Sequence, residues 1–488
     1  MIKHLHIGIF ALTSLLASCS SAPRPHDVVT IDATPAIWPD YVGVTIPTTI
    51  APLNFAMASD SAQCVDVTIS ANGKRLTANG PEANFDIDEW HALLASSPDS
   101  LSVSVCALFP DGWRQYRQFP IYVSADTLTA YGLTYRRIQP GYEVYSKMGI
   151  YQRDLSSFSE DPIFENTEVP NSCVNCHTAR KSDPNDFLFH IRGDHGATLI
   201  SHNDKVEALN TKTDHTIGTF TYPAYHPAGR FIAFSVNTTR QSFHQIRSKR
   251  LEVFDVASDI VIYDTENHNV ITSPLVNQTD SCWETFPCFS SDGKSLYFCA
   301  AHPQPVPMKV SRVQYALMKI SFDVTTGQLG DKIDTVLNLA NQGLSISLPR
   351  TSPDGRLLMF TTCDYGTFPI WHSEAALWVL NLATGDAHPA SALNSDDAES
   401  FHNWSPDSRW VVFSSRRGDG LFTRLYIAHV DENGVASKPF LLPQESPKSF
   451  YRDLMFSYNV PDFTSRPVKL DAKSAARRLL SPSRTQVK

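Results

Sequence analysis

The sequence predicts an all-β fold: a β-propeller of about six blades, preceded by a small β-sandwich-like domain and an irregular segment. A turn followed by an apolar strand recurs four times between residues 225 and 413. Apolar and polar residues alternate in 64–70 and 101–109, which is typical of half-buried strands. Residues 136–154 instead mix aromatic, basic and turn residues without a clear period.

The composition is that of a folded protein with no nucleic-acid partner. The chain has 488 residues, of which 42% are hydrophobic and 19% charged, and its formal net charge is −9. This balance differs from that of disordered chains. A general nucleic-acid binder would carry a basic field, which the negative net charge argues against.

The first residues predict export and lipid attachment. A basic start at Lys3 precedes a short apolar stretch that runs into Leu16-Ala17-Ser18-Cys19. This ending resembles the bacterial lipobox, so we expect residues 1–18 to be a signal peptide and Cys19 to be lipidated. Residues 19–30 form a tether without an acidic run, which favours an outer-membrane anchor with the protein facing the periplasm.

Residues 31–135 make up the predicted β-sandwich-like domain. Its alternating segments are separated by turn residues such as Asn72-Gly73. Cys64 and Cys106 lie in two of these segments. Since export places thiols in an oxidising compartment, these two cysteines are a candidate disulfide.

The most specific motif lies in the predicted irregular segment, residues 136–185. Cys173-Val174-Asn175-Cys176-His177 matches the Cys-x-x-Cys-His pattern of c-type haem attachment. Two thiols at this spacing reach one haem edge, and the adjacent imidazole binds the iron. The motif predicts one covalent haem c. A thioredoxin-like dithiol, half of a zinc site and a structural disulfide are the alternatives.

Further haem contacts are predicted from nearby residues. His195, in a glycine-flanked turn, and Met148 are the candidate sixth iron ligands, with an open position as the third option. Arginines close to the motif are candidate partners of the haem propionates. These are Arg136, Arg137, Arg153 and Arg192.

The propeller prediction covers residues 186–460. Its four units are 225–234, 289–298, 351–360 and 404–413, and the later ones read Ser-Pro-Asp-Gly or Ser-Pro-Asp-Ser before the strand. Such turns fix the backbone, and each unit must stack on others to bury its apolar face. The units resemble TolB-like propeller repeats, which implies that fold. Residues 461–488 are predicted to be a flexible basic tail.

The chain also resembles a group of exported propeller lipoproteins from Bacteroidetes-like bacteria. The resemblance lies in residues 137–154, in the Cys-Val-Asn-Cys-His motif and in residues 190–196. It implies the propeller and the haem, and it implies no particular activity.

These features predict a mono-haem c-type cytochrome that transfers electrons, with the propeller docking a redox partner or another cell-envelope protein. An electron carrier or binding protein is favoured over an enzyme. One alternative is a non-redox, TolB-like protein-binding scaffold of the cell envelope. The other is a haem peroxidase-like enzyme, in which Arg192 and His195 would act beside the iron. No Gly-x-Ser-x-Gly motif supports a hydrolase.

Overall fold

The structure is a computed structural model that describes residues 22–96, 98–140, 147–202, 205–214, 216–277 and 281–488. The predicted signal peptide and Cys19 lie outside these residues. Within them, no helix has both the length and the apolar character needed to cross a membrane.

An N-terminal sheet of seven strands packs beside the propeller. Its main strand order is β1-β8-β7-β5-β6; β9 pairs with β7 and β3, and β2 pairs separately with β4. The strands are β1 (Val29–Ile31), β2 (Ile37–Trp38), β3 (Thr45–Ile46), β4 (Ala56–Met57), β5 (Cys64–Ala71), β6 (Lys74–Gly80), β7 (Ser100–Phe109), β8 (Gly112–Tyr116) and β9 (Phe119–Val123).

Helix α1 (Ile87–Leu94) covers this sheet. The Asp86 carboxylate accepts hydrogen bonds from the first-turn amides and so caps the helix. Trp90 is buried, and its Nε1 donates to the Ile50 carbonyl at 2.9 Å. The sheet shares one apolar core with the propeller, to which Trp410 and Leu441 contribute.

Cys64 and Cys106 lie on the adjacent strands β5 and β7. In the ladder Cys64 is opposite Leu108, and Cys106 is opposite Asp66, so the two cysteines are diagonal neighbours. Both thiols are buried and free. The disulfide stays a prediction.

The propeller consists of six sheets in which the strands of each blade's meander are antiparallel, and this confirms the predicted fold class. Blades 1 to 3 contain β10 (Gly132–Ile138), β11 (Gly149–Asp154) and β12 (Glu160–Glu165); β13 (Ser172–Arg180), β14 (Asp183–Gly193), β15 (Ala197–His202) and β16 (Lys205–Asn210); and β17 (Phe220–Tyr225), β18 (Phe231–Phe243), β19 (Leu251–Asp264) and β20 (Asn269–Ile271).

In blades 2 to 6 the first strand of the blade along the chain is the innermost. Blades 4 to 6 contain β21 (Trp283–Phe289), β22 (Ser295–Ala301), β23 (Ala316–Phe322) and β24 (Leu329–Leu337); β25 (Ser345–Thr351), β26 (Leu357–Cys363), β27 (Ala376–Asn381) and β28 (Ala387–Pro389); and β29 (Glu399–Trp404), β30 (Trp410–Ser415), β31 (Arg424–His429) and β32 (Phe440–Leu441).

The ring is closed by a strand from the end of the chain. After α2 (Pro447–Arg452), strand β33 (Ser457–Thr464) pairs with β10 and becomes the innermost strand of blade 1. Each innermost strand contacts the next, and β33 contacts β13. Blade 1 therefore joins strands from both ends of the propeller.

Residues 136–185 differ from the irregular segment that was predicted. They form the end of β10, then β11, β12 and β13, and they reach the start of β14. The boundary placed at residue 135 falls inside β10. Blade 1 has no Pro-Asp-Gly turn between its strands, and its innermost partner lies more than 300 residues away, so the local sequence gives little sign of the sheet.

Residues 461–488 differ from the predicted flexible tail. Helix α3 (Ala472–Leu480) is capped by Asp471 and buries Ala475, Ala476 and Leu479 against blades 1 and 2. Strand β34 (Thr485–Gln486) then pairs with β16 at the outer edge of blade 2. The basic residues occupy the solvent side of an amphipathic helix, and its apolar side holds the tail in place.

Candidate functional site

A β-bulge occurs at the equivalent position of all six innermost strands. The ladder register shifts there in every blade. One non-glycine residue at each bulge has a left-handed backbone. These residues are Cys176 (φ 51°), Tyr222 (46°), Phe286 (51°), Leu348 (53°), Phe401 (47°) and Val460 (51°).

This ring of six bulges is conformationally costly, because a left-handed L-residue costs roughly 1–2 kcal/mol. Backbone outliers of this kind concentrate at ligand sites and are held in place by the surrounding fold. All six side chains line one cavity near the centre of the ring. The bulges therefore direct these side chains towards a common site, which we term the axial pocket.

The axial pocket has a volume of about 380 Å³ and receives residues from every blade. That volume lies within the usual range for small-molecule sites. Much of its wall is apolar or aromatic. This part includes Leu251, Val253, Phe286, Leu348, Phe368, Ile370, Trp371 and Phe401.

Among the described residues, the charged side chains that line the axial pocket are all arginines. Arg136, Arg192, Arg350 and Arg416 line it, and no Asp or Glu is among the lining residues that the structure describes. The Arg136 guanidinium donates to two sulfur atoms, Met148 Sδ at 3.8 Å and Cys173 Sγ at 3.7 Å. Sulfur is a weak acceptor, so these contacts leave the cation poorly neutralised.

Arg416 is held rigidly at the pocket wall. Its Nε donates to the Ile370 carbonyl at 2.6 Å, and its guanidinium lies 3.1 Å from the centre of the Trp371 ring. Burial lowers the pKa of Arg416 to about 9. The side chain is thus still protonated at neutral pH and presents a fixed positive charge.

The predicted haem-attachment residues come together at this pocket. Cys173, Cys176 and His177 line it from β13, and Met148 lines it from the position just before β11. His177 is 2% exposed; within the described residues no well-formed hydrogen bond reaches its ring nitrogens, and the Thr134 backbone is their polar neighbour. Burial, reinforced by Arg136 and Arg350, lowers the pKa of His177 to about 3. The ring is therefore neutral at pH 7.

Three of the predicted cofactor residues lie outside the axial pocket. Arg137 pairs with Glu160 at 2.6 Å and stacks on Tyr151, while Arg153 is buried against Gln444. His195 lies in the turn after β14, where its carbonyl accepts from Arg484. Among the predicted propionate partners, Arg136 and Arg192 do line the pocket.

Sequence reasoning missed Arg350 and Arg416, which come from blades 5 and 6. They are far from the motif along the chain and approach it only because the ring closes. One signal was available: an apolar or aromatic residue precedes proline in four innermost strands. These pairs are Tyr222-Pro223, Phe286-Pro287, Leu348-Pro349 and Val460-Pro461, while Cys176-His177 and Phe401-His402 take the same place in the other two blades.

Comparison with known proteins gave structural matches only. No family model matches the chain. No curated protein matches it either. Among solved structures, a periplasmic gluconolactonase from Pseudomonas aeruginosa is 14% identical, with 68% of this chain and 100% of that chain covered and a TM-score of 0.35. An oligogalacturonate lyase from Vibrio parahaemolyticus is 12% identical, with 77% and 100% covered and the same TM-score.

A β-propeller domain of Cps50 from Myceliophteria thermophila is 12% identical, with 68% of this chain and 93% of that chain covered and a TM-score of 0.35. Similarities this weak carry no argument about activity.

The prediction of a mono-haem cytochrome that transfers electrons is wrong. Across the described residues, no group of three or more His, Cys, Asp or Glu side chains is placed to hold a metal ion. His195, predicted as an iron ligand and as a peroxidase residue, lies away from the pocket, so its pairing with His177 is not formed. The chain is a β-propeller with an arginine-lined axial pocket.

Proposed function

We propose that the protein binds a large amphipathic anion in the axial pocket. The observation that carries this proposal is the lining itself: four arginines and no described carboxylate, set in a mostly apolar wall. An anionic group would accept charge-assisted hydrogen bonds from the guanidinium groups. The apolar body of the ligand would lie against the aromatic and aliphatic side chains.

Arg192 is the best residue with which to test this proposal. It lines the pocket from β14 and forms no salt bridge with a described residue. Arg240 is the matched control, because it lies on the adjacent blade, is exposed and faces away from the pocket. Both side chains are cationic, so the two substitutions change the net charge equally.

The test is a fluorescence titration of the full chain with two related probes. Anilinonaphthalene sulfonate carries a negative charge, and phenylnaphthylamine is its uncharged analogue. Arg192→Gln should weaken sulfonate binding roughly tenfold, since a hydrogen bond to a charged group is lost. Phenylnaphthylamine binding should not change, and Arg240→Gln should bind both probes as wild type does. Equal loss of both probes, or no loss, would refute an anion site.

Covalent haem c stays a proposal for the cofactor, and it belongs to the same ligand class, since haem joins an apolar macrocycle to two carboxylates. The residues fit this group: Cys173 and Cys176 would hold it, and the neutral His177, which forms no well-formed hydrogen bond with a described residue, would face its iron. When bound, haem would supply an iron centre.

The intact mass of the protein distinguishes a covalently attached haem from a free amphipathic anion. Exported full chain should be heavier than chain retained in the cytoplasm if the ligand is covalent, and Cys173→Ser should remove the difference. A ligand that is extracted by organic solvent, with no change in protein mass, would instead be a free amphipathic anion.

Lipid anchoring and the TolB-like assignment also stay proposals. The Leu16-Ala17-Ser18-Cys19 ending supports a lipidated N-terminus on the periplasmic side of the outer membrane, and the Ser-Pro-Asp-Gly turns support the TolB-like type of repeat. Cys19→Ser should move the protein from the membrane fraction to the soluble fraction after cell lysis. Retention of the variant in the membrane fraction would count against the anchor.

A further inference from the structure

Two loops on one face of the propeller expose apolar side chains, and the first of them borders the axial pocket. The hairpin between β18 and β19 exposes Phe243 (54%) and Ile246 (58%), and the loop between β22 and β23 exposes Met308 (82%). Both loops join the second and third strands of adjacent blades, so they project from the same face of the propeller. Apolar side chains that project together from one face of a protein mark a contact site for a partner or a membrane.

The hairpin is part of the pocket wall. Thr239, Gln241 and Phe243 line the axial pocket from β18, and Leu251 and Val253 line it from β19. Its tip therefore extends outward from the mouth of the pocket. Whatever binds the tip also lies next to the entrance.

Both loops are basic. Residues 239–250 contain four Lys or Arg residues and no Asp or Glu, and residues 302–312 contain Lys309 and Arg312 and again no acid. Lys249 is neutralised by Glu374 at 3.0 Å and Asp364 at 3.3 Å. Arg240, Lys309 and Arg312 are exposed.

We infer that these two loops dock on an anionic lipid surface, with Phe243, Ile246 and Met308 inserted among the headgroups. Exposed apolar side chains flanked by cations are the chemistry by which proteins bind such a surface. A protein partner would need a complementary acidic face, which nothing in this chain specifies. Docking would turn the mouth of the axial pocket towards the bilayer.

The test is cosedimentation of the full chain with phosphatidylcholine vesicles that contain or lack phosphatidylglycerol. A lipid on Cys19 would insert into both vesicles, so the measured quantity is the ratio of the two partition coefficients. This ratio should fall roughly fivefold for Arg240→Gln. For Phe243→Ser with Ile246→Ser, partitioning into the anionic vesicles should fall about tenfold or more.

Val324 and Val435 provide the matched control. They are 46% and 61% exposed, and they lie in turns between third and fourth strands, on the opposite face. Val324→Ser with Val435→Ser should bind vesicles as wild type does. Equal losses of vesicle binding in the two double variants would overturn the inference, and so would a wild-type protein with no preference for phosphatidylglycerol. Either result would indicate that these loops bind a protein partner.

The proposals of membrane docking and of ligand binding can be tested separately. Arg192→Gln should lose the sulfonate probe and keep wild-type vesicle binding. If the wild-type protein binds the probe but shows no preference for anionic vesicles, the docking inference is wrong and the proposed ligand site stands.

Discussion

At the residue scale, the axial pocket depends on side chains held in costly conformations or costly electrostatic environments. Cys176 and Val460 have left-handed backbones at the pocket, and Arg136 faces sulfur atoms where a carboxylate would neutralise it better. Each feature reduces stability in the absence of a ligand. Their coincidence at one cavity is the reason to regard the cavity as a binding site.

The sequence identified the three residues of the haem-attachment motif, but it did not identify all the arginines that lie near them in the axial pocket. The Cys-x-x-Cys-His spacing singled out Cys173, Cys176 and His177, and the structure places all three at the pocket. Arg350 is marked in the sequence only by the Leu348-Pro349 pair that precedes it, and Arg416 by no local pattern that distinguishes it from an arginine on the surface.

His372 gives a pH-dependent prediction. Burial disfavours its charged form, but hydrogen bonds to Glu252 (3.2 Å) and Glu374 (3.1 Å) outweigh burial and raise the pKa of His372 above 6.5. The protonated ring therefore stabilises the fold fully below pH 6.5. This contribution is lost as the pH rises through the raised pKa.

Urea unfolding followed by fluorescence tests this prediction. The wild-type midpoint should fall as the pH is raised from 6.5 to 9, and His372→Gln should show a smaller fall. The exposed His388 is the control, since His388→Gln should keep the wild-type profile. A His372→Gln profile parallel to wild type would contradict the assignment.

At the element scale, the turns that revealed the repeats lie on the face opposite the axial pocket. In blade 4 the Ser290-Ser291-Asp292-Gly293 turn places Gly293 at φ +73°, and its carbonyl contacts His226 Nε2 at 3.0 Å. These turns join first and second strands and hold neighbouring blades together. They could be predicted because their conformation is set by a few adjacent residues.

Gly293→Ala should destabilise the protein by more than about 2 kcal/mol, because a left-handed alanine is strained and its Cβ would clash with the His226 ring. Gly385→Ala, at φ +80° with open space around it, should cost only about 1 kcal/mol. Urea midpoints compare the two variants. Equal losses would show that the contact between blades is unimportant.

Blade 1 shows where element prediction failed. Strands β10, β11 and β12 pair with one another, but their innermost partner, β33, comes from the end of the chain. Long-range pairing of this kind leaves no local periodicity. The helix in the tail, by contrast, could have been predicted. The Asp471 cap and the apolar spacing of Ala475, Ala476 and Leu479 were both present in the sequence.

At the scale of the whole molecule, closure of the ring depends on contacts of Asp462 in β33. Its carboxylate accepts from Thr178 Oγ1 and the Ala179 amide, both at 3.2 Å in blade 2, and from Asn403 Nδ2 at 2.6 Å in blade 6. One side chain thus connects three blades. Burial raises the pKa of Asp462 to about 6.

Asp462→Ala should lower the free energy of unfolding by about 2–3 kcal/mol, because it leaves buried donors without acceptors. Asp331→Ala, at an exposed position, should change it by less than about 0.5 kcal/mol. Circular dichroism during urea unfolding measures both. Wild-type stability of Asp462→Ala would contradict the closing role of β33.

The binding claim is tested most directly by a crystal structure of the full chain soaked with anilinonaphthalene sulfonate. If the axial pocket binds amphipathic anions, the probe should show density there, with the sulfonate within hydrogen-bonding distance of Arg192 or Arg136 and the rings against Phe401 or Phe286. Density confined to the outer surface, with only water in the pocket, would contradict the binding claim.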